Sequence, residues 1–146
     1  MSNKEAMDDI IDGLFQGNKD SIAQLQLIVQ EARLAFKAKE YDKALKYFQS
    51  LSTYDKNHIG YLFSVGLCYQ TLGKFDLAIQ MFTKVIEQMQ DNTKKSEISY
   101  QLAHAYYQRG MSHYSLSHAT LAKKDFLTAL QSKFLDKDLQ KGIELH

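Results

Sequence analysis

The chain has 146 residues, enough for one domain, and is 45% hydrophobic and 24% charged, which is typical of a packed rather than a disordered protein. Its 18 basic and 17 acidic side chains give a net charge of +1, without the strongly basic character typical of nucleic-acid binding. It has no apolar run long enough to span a membrane, its N-terminus is acidic unlike that of a signal peptide, and a single cysteine excludes an internal disulfide. We therefore expect a cytoplasmic protein with no nucleic-acid partner and no membrane insertion.

Proline is absent and no segment sustains the alternation of a strand, so the chain is predicted to be all-α. The first predicted element is an N-terminal helix within residues 1–24. Ser2 and Glu5 are spaced as a capping box, and this helix is expected to end at Gln16. A second helix is expected from about residue 20 to residue 39, as the first half of a repeat.

Three Ala-x-x-x-Phe pairs follow: Ala44/Phe48, Ala78/Phe82 and Ala122/Phe126. Successive pairs are 34 and then 44 residues apart, and a small residue (Ala32, Gly66 or Gly110) lies 12 positions before each alanine. A period of about 34 residues resembles the tetratricopeptide repeat, in which two antiparallel helices form a unit that stacks on its neighbours.

The resemblance implies an α-solenoid of three helix–turn–helix repeats, over residues 25–58, 59–92 and 93–136. The third repeat contains ten extra residues, so its first helix is expected to begin near Thr93 and to be unusually long. Residues 137–146 are expected to form a short capping helix, because a solenoid must cover its last apolar face.

The resemblance also implies a concave groove lined by fixed positions of each first helix. The predicted peptide-binding groove consists of Val29, Arg33, Phe36, Phe63, Leu67, Gln70, Tyr107, Met111 and Tyr114. Most of these residues are apolar or aromatic, and a large exposed apolar patch indicates an interaction site. Two alternatives stay open: several of them are core beneath a capping helix, or the N-terminal helix itself occupies the groove or forms a homodimer.

No arrangement of residues predicts catalysis, a metal site or a cofactor. The five histidines are His58, His104, His113, His118 and His146, and no two of them are spaced i, i+4. Cys68 lies two residues after Gly66 on a face expected to be buried, with no histidine or acid placed in sequence to activate it. We therefore expect no catalytic residues, no metal ligands and no cofactor.

Residues 47–82 carry a further set of features: Phe48-Gln49-x-Leu51, Asp55, Tyr61-x-Phe63, Gly66-x-Cys68-x-Gln70, Gly73 and Asp76-Leu77-Ala78-Ile79. With a helix before three repeats, they resemble the type III secretion chaperones that hold translocator proteins. The resemblance implies a bacterial cytoplasmic chaperone that binds an extended segment of a membrane-inserting client, with pockets at Val29, Phe36, Phe63 and Leu67. The third repeat departs from the family pattern, because its connection is longer and lacks proline.

Another tetratricopeptide function is not predicted. Co-chaperones that hold the C-terminal tails of heat-shock chaperones grip a carboxylate with Lys, Asn and Arg at two fixed groove positions of each repeat, where only Arg33 could serve in this chain. The predicted function is thus a protein–protein interaction module that binds a client segment in an apolar groove. The alternative is a structural or self-assembling scaffold subunit, in which the same apolar stripe meets another copy.

Overall fold

The computed structural model describes Asp9 and residues 19–92, 98–132 and 137–144. Within these residues the chain forms seven helices and no strand, which confirms the all-α prediction. The helices are α1 Lys19–Lys37, α2 Tyr41–Tyr54, α3 Ile59–Thr71, α4 Phe75–Asn92, α5 Tyr100–Ser115, α6 Ala119–Ala129 and α7 Lys137–Glu144. None of these helices is long and apolar enough to cross a membrane.

The first six helices form three antiparallel hairpins whose turns are built alike. Lys39, Gly73 and Ser117 each follow the first helix of a hairpin and have left-handed backbone, with φ of 64°, 77° and 61°. In each turn the next residue donates its N–H to the carbonyl five residues earlier, as from Lys74 to Tyr69 at 2.8 Å. This bond satisfies a carbonyl that the end of the helix leaves free, so the same turn recurs in all three repeats.

Within each hairpin the two helices cross where the first one carries a small residue. A Cβ atom at Gly66 would lie 2.6 Å from Cε1 of Phe82, and one at Gly110 would lie 2.7 Å from Cε1 of Phe126. In the first repeat Ala32 is fully buried in one apolar cluster with Phe48. Gly66 and Gly110 are therefore points of close approach between the helices, and Ala32 has the same position, 12 residues before the alanine of its repeat.

Three apolar clusters run along the solenoid. The first joins α1, α2 and α3, the second joins α3, α4 and α5, and the third joins α5, α6 and α7. In α7, Leu139 and Ile143 are buried, and the helix packs on α5 as the predicted cap. Each repeat thus completes its core with residues of the next element, as stacked repeats must.

The first helix of the third repeat does not begin near Thr93, and this prediction is wrong. The helix begins at Tyr100, because Ser99 has extended backbone and its hydroxyl accepts a hydrogen bond from the N–H of Leu102 at 3.1 Å. With 16 residues it is shorter than α1, which has 19. Residues 93–97 lie outside the described residues.

The second predicted helix, from about residue 20 to residue 39, is observed as α1, Lys19–Lys37, so the predicted start of the first repeat at residue 25 lies within this helix. The N-terminal helix predicted before α1 lies outside the described residues, apart from Asp9, which is helical and exposed.

A buried ion pair distinguishes the third repeat from the second. Arg109 on α5 donates from Nε and Nη2 to the two carboxylate oxygens of Asp125 on α6, at 2.8 and 2.7 Å, and its Nη1 reaches Thr83 on α4 at 3.3 Å. Asp125 is only 3% exposed. The hydrogen bonds to Asp125 raise the pKa of Arg109. The second repeat has the apolar residues Val65 and Met81 at the corresponding positions.

The turns generate a first prediction. The change Ser117→Gly is expected to stabilise the protein by about 1 kcal/mol, because glycine adopts left-handed backbone without the Cβ clash that serine has there. Urea unfolding followed by circular dichroism measures the difference. Gly73→Ala is the matched control and should destabilise by a similar amount, since an added Cβ meets nothing within 4 Å and the cost is conformational alone. Equal stability of all three proteins would contradict this account of the turns.

The ion pair generates a second prediction. Asp125→Met alone is expected to cost about 3 kcal/mol, because it leaves the half-buried charge of Arg109 without its partner. Adding Arg109→Val gives the third repeat the same valine and methionine that the second repeat has. The double variant should recover most of the lost free energy of unfolding, as measured by urea unfolding. A double variant as unstable as the single one would show that the pair acts through packing rather than charge.

Candidate peptide-binding groove

The first helices of repeats two and three contact each other, and a pocket opens between the first helices of repeats one and two. It has a volume of about 240 Å³ and is lined by Arg33, Phe36, Phe48, Ser64 and Leu67. Phe48 is 4% exposed and belongs to the core below, whereas Phe36 and Leu67 are half-buried and Arg33 is exposed. The pocket therefore combines apolar walls with one cation, and it could receive a large apolar side chain.

A row of rings continues along the solenoid from this pocket. The ring centroid of Phe63 lies 5.5 Å from that of Phe82 and 5.1 Å from that of His104. Tyr107 follows, at 6.4 Å from His104 and 5.9 Å from Phe126. Phe82 and Phe126 are buried, while the three rings between them are half-buried and present part of their surface outward. Such a row offers stacking surface to a bound segment.

Of the six residues predicted in the first two repeats, Arg33, Phe36 and Leu67 line the pocket, and Val29, Phe63 and Gln70 do not. Val29 and Phe36 pack on the first apolar cluster, and the ring of Phe36 meets that of Tyr41 edge-on at 5.2 Å. Arg33 and Leu67 face the pocket directly. These residues combine support of the core with an accessible surface.

Gln70 has a role that the sequence did not indicate. Its Nε2 donates hydrogen bonds to the carbonyl oxygen of Gln108 at 3.0 Å and to Oγ of Ser112 at 3.1 Å. Both acceptors lie on α5, and Ser112 is fully buried. The side chain assigned to the groove thus ties the first helices of repeats two and three together.

The predicted residues of the third repeat are partly covered by α7. A Cβ atom at Gly142 would lie 2.6 Å from the hydroxyl oxygen of Tyr107, so the tip of this side chain lies directly against the backbone of α7. Tyr107 and Met111 pack on the cluster that contains Ile143 of α7. Tyr114, by contrast, is 51% exposed. The alternative that some of these residues are core beneath the capping helix therefore fits Tyr107 and Met111 better than Tyr114.

The remaining candidates for catalysis or metal binding are the cysteine and the histidines, and their surroundings are typical of structural residues. Cys68 is fully buried, and burial raises the pKa of its thiol to about 11, so it stays protonated at neutral pH. Nδ1 of His113 lies 3.3 Å from Nδ1 of His118, a pair five residues apart. Burial lowers the pKa of His113. In the part of the chain that the structure describes, no three histidine, cysteine or acidic residues come together as a metal site would require.

Three features were missed by the sequence analysis. Phe48 and Ser64 line the pocket, although the predicted groove included neither of them. His58 caps α3 by accepting a hydrogen bond from the N–H of Tyr61 at 3.1 Å. The 34-residue offset between repeats could have shown that Phe48 lies opposite Ala32, but nothing in the pattern indicates that its ring reaches the groove.

The comparisons with known proteins agree with this architecture. The tetratricopeptide repeat model matches residues 59–92 and 103–134. No curated protein sequence matches this chain. Among solved structures, the chain is similar to the first TPR of Spaghetti (RPAP3) bound to the HSP90 peptide SRMEEVD. The two share 17% identity over 83% of this chain and 88% of that one, with a TM-score of 0.68.

Two further solved structures are similar to this chain. PcrH in complex with the chaperone binding region of PopD has 19% identity and a TM-score of 0.68, over 84% of this chain and 87% of that one. The Yersinia enterocolitica type III secretion translocator chaperone SycD has 15% identity and a TM-score of 0.70, over 92% of this chain and 96% of that one. The chain therefore carries tetratricopeptide repeats and has the all-α solenoid fold of tetratricopeptide proteins.

Proposed function

We propose that this chain is a non-enzymatic, cytoplasmic binding protein that holds an apolar segment of a client protein in the groove between α1 and α3. The observation that carries the proposal is the open pocket of about 240 Å³ with Phe36, Phe48 and Leu67 on its walls. Fully burying one large apolar side chain is worth roughly 1.5–3 kcal/mol. A client that places such a side chain in the pocket gains this energy, and the ring row beside it offers further contact.

The charges beside the pocket favour a client segment that is both apolar and acidic. Arg33 lines the pocket and is exposed, and Lys37 lies one turn further along α1 and is also exposed. Neither residue has an ion pair within 4.0 Å among the described side chains. A carboxylate next to the apolar anchor of the client would complement them, at the modest strength of an exposed pair.

The similar structures support a binding function of this kind. One is bound to an HSP90 peptide and another to the chaperone binding region of PopD, and SycD is a translocator chaperone. We favour a dedicated chaperone or adaptor with an apolar groove over a protein whose groove grips the carboxylate of a C-terminal tail. The two fixed positions that would grip a carboxylate carry Val29 and Arg33, Phe63 and Leu67, and Tyr107 and Met111.

A groove variant tests the proposal. Leu67→Glu places a carboxylate on the apolar wall of the pocket, and we expect it to weaken client binding because an apolar side chain that enters the pocket would have to strip water from that carboxylate. Clients are captured from the native lysate with the wild-type chain and identified, and a labelled peptide from the bound segment is then titrated. The dissociation constant should rise at least about tenfold, which corresponds to about 1.4 kcal/mol.

The matched control is Leu77→Glu, the same substitution at a leucine that is 39% exposed on α4 and does not line the pocket. Both variants must keep the helical circular dichroism of the wild type. Equal peptide affinity of the two folded variants would place the client elsewhere and refute the groove.

A self-assembling scaffold is the second candidate, favoured by apolar surface outside the groove. Leu121 and Leu127 of α6 are 49% and 53% exposed, and Leu130, directly after the helix, is 38% exposed. A scaffold that uses this surface would associate as its concentration rises, and light scattering over a concentration series measures that. A mass that stays at one chain throughout would exclude it.

A further inference from the structure

The residues that line the pocket between α1 and α3 have counterparts at the next junction of the solenoid. The offset between counterparts is 34 residues from the first repeat to the second and 44 from the second to the third. For Arg33, Phe36, Phe48, Ser64 and Leu67 they are, in the same order, Leu67, Gln70, Phe82, Gln108 and Met111. The junction between α3 and α5 can therefore be compared with the pocket position by position.

A side-chain amide bridges this second junction. Nε2 of Gln70 on α3 donates a hydrogen bond to the carbonyl oxygen of Gln108 on α5 at 3.0 Å. At the first junction the counterparts of these two residues are Phe36 and Ser64. The ring of Phe36 lies edge-on against that of Tyr41 on α2, at 5.2 Å between centroids, and Ser64 carries only a short hydroxyl group. The pocket therefore lies where a side chain with a polar tip bridges the corresponding helices of the second junction.

The two polar residues of the pocket offer opposite hydrogen-bonding groups. The hydroxyl of Ser64 donates to the carbonyl oxygen of Gly60 at 2.8 Å, so towards a ligand its oxygen can only accept. The guanidinium of Arg33 can only donate, and it has no ion pair within 4.0 Å among the described side chains. The other three lining residues are apolar. A ligand that fills the pocket keeps both polar groups bonded only if it supplies a donor and an acceptor.

The size of the pocket and the inventory of polar side chains narrow the choice of ligand. A cavity of roughly 150 Å³ lined by leucine, isoleucine and phenylalanine binds benzene. The pocket of about 240 Å³ therefore has room for a ring with a polar substituent. Phenylalanine would cover both polar groups without bonding to either, which costs free energy. The indole of tryptophan only donates and a carboxylate only accepts, whereas the phenol group of tyrosine does both.

We propose that the pocket selects a tyrosine side chain of the client. The ring of this tyrosine lies against the lining residues Phe36, Phe48 and Leu67. Its hydroxyl group donates a hydrogen bond to Oγ of Ser64 and accepts one from Arg33. Because it names the side chain with which a client fills the pocket, this selectivity rests on the proposed function. The apolar walls supply affinity, and the two polar residues determine specificity.

Two small probes test this selectivity in the full-length chain. The first, p-cresol, has the shape of the tyrosine side chain, and the second, toluene, has that of the phenylalanine side chain. Each is titrated into ¹⁵N-labelled protein, and the amide shifts of residues 33–36 and 64–67 report binding in the pocket. We expect the dissociation constant of p-cresol to be at least about fivefold lower than that of toluene, because only p-cresol forms the two hydrogen bonds.

Substitutions assign this preference to its residues. Ser64→Ala removes the acceptor, and Arg33→Met removes the donors but keeps an unbranched side chain. Each leaves one of the two hydrogen bonds, so the preference for p-cresol should fall to about twofold. The matched control is Ser115→Ala, because Oγ of Ser115 likewise donates to a carbonyl four residues earlier, that of Met111 at 3.1 Å, and Ser115 does not line the pocket. This control should keep the full preference.

Three results would overturn the proposal. Equal affinity of the two probes at the pocket amides would show that Ser64 and Arg33 do not bond to a ring substituent. A preference that survives both substitutions unchanged would place the hydroxyl group elsewhere. An absence of shifts at the pocket amides with both probes would show that the pocket does not take a ring. The proposed function is decided separately, by the peptide affinity of Leu67→Glu.

Discussion

The close crossing of the two helices within each repeat is the constraint on which the rest of the structure depends. At Gly66 and Gly110 there is no room for a Cβ atom, because the rings of Phe82 and Phe126 lie against the helix backbone. This contact fixes the distance between the helices of a hairpin, and the repeated left-handed turn fixes their connection. The first repeat has a small residue, Ala32, at the corresponding place, where it is fully buried in one cluster with Phe48. The pocket lies between the first helix of this repeat and that of the second.

Neighbouring repeats are joined by polar contacts that differ from one junction to the next. One glutamine amide bonds across the first junction, from Gln49 to the hydroxyl of Tyr69 at 2.7 Å. Two bond across the second, from Gln70 to α5 and from Gln90 to the hydroxyl of Tyr106 at 2.6 Å. The ion pair of Arg109 and Asp125 adds a contact to the preceding repeat through Thr83. A polar bond with defined geometry fixes the register of two packed helices more strictly than apolar contact alone.

The sequence predicted the part of the fold that repeats. Its period predicted the three hairpins and their crossing residues, because a recurring steric constraint leaves a recurring residue pattern. The capping helix was predicted from the need to cover the last apolar face. The prediction failed at Thr93, where the extra residues were assigned to a longer helix although Ser99 provides a cap. It also failed to separate Gln70, which bonds to α5, from the groove positions beside it, because a half-buried amide is equally compatible with either role. Such roles depend on which partner atom lies within 3 Å, and a single sequence does not contain that distance.

The two ends of the groove differ in a way that bears on binding. At the third repeat, α7 packs over Tyr107 through Gly142, so part of the ring row already has an intramolecular partner. At the first and second repeats, the pocket between α1 and α3 has no such cover among the described residues, and Arg33 stands at its edge. An incoming segment therefore has most to gain at the pocket, where apolar surface is still accessible and no helix must be displaced first. The apolar surface becomes less accessible towards α5 and α7. This difference between the two ends of the solenoid would set the position of a bound segment along the groove.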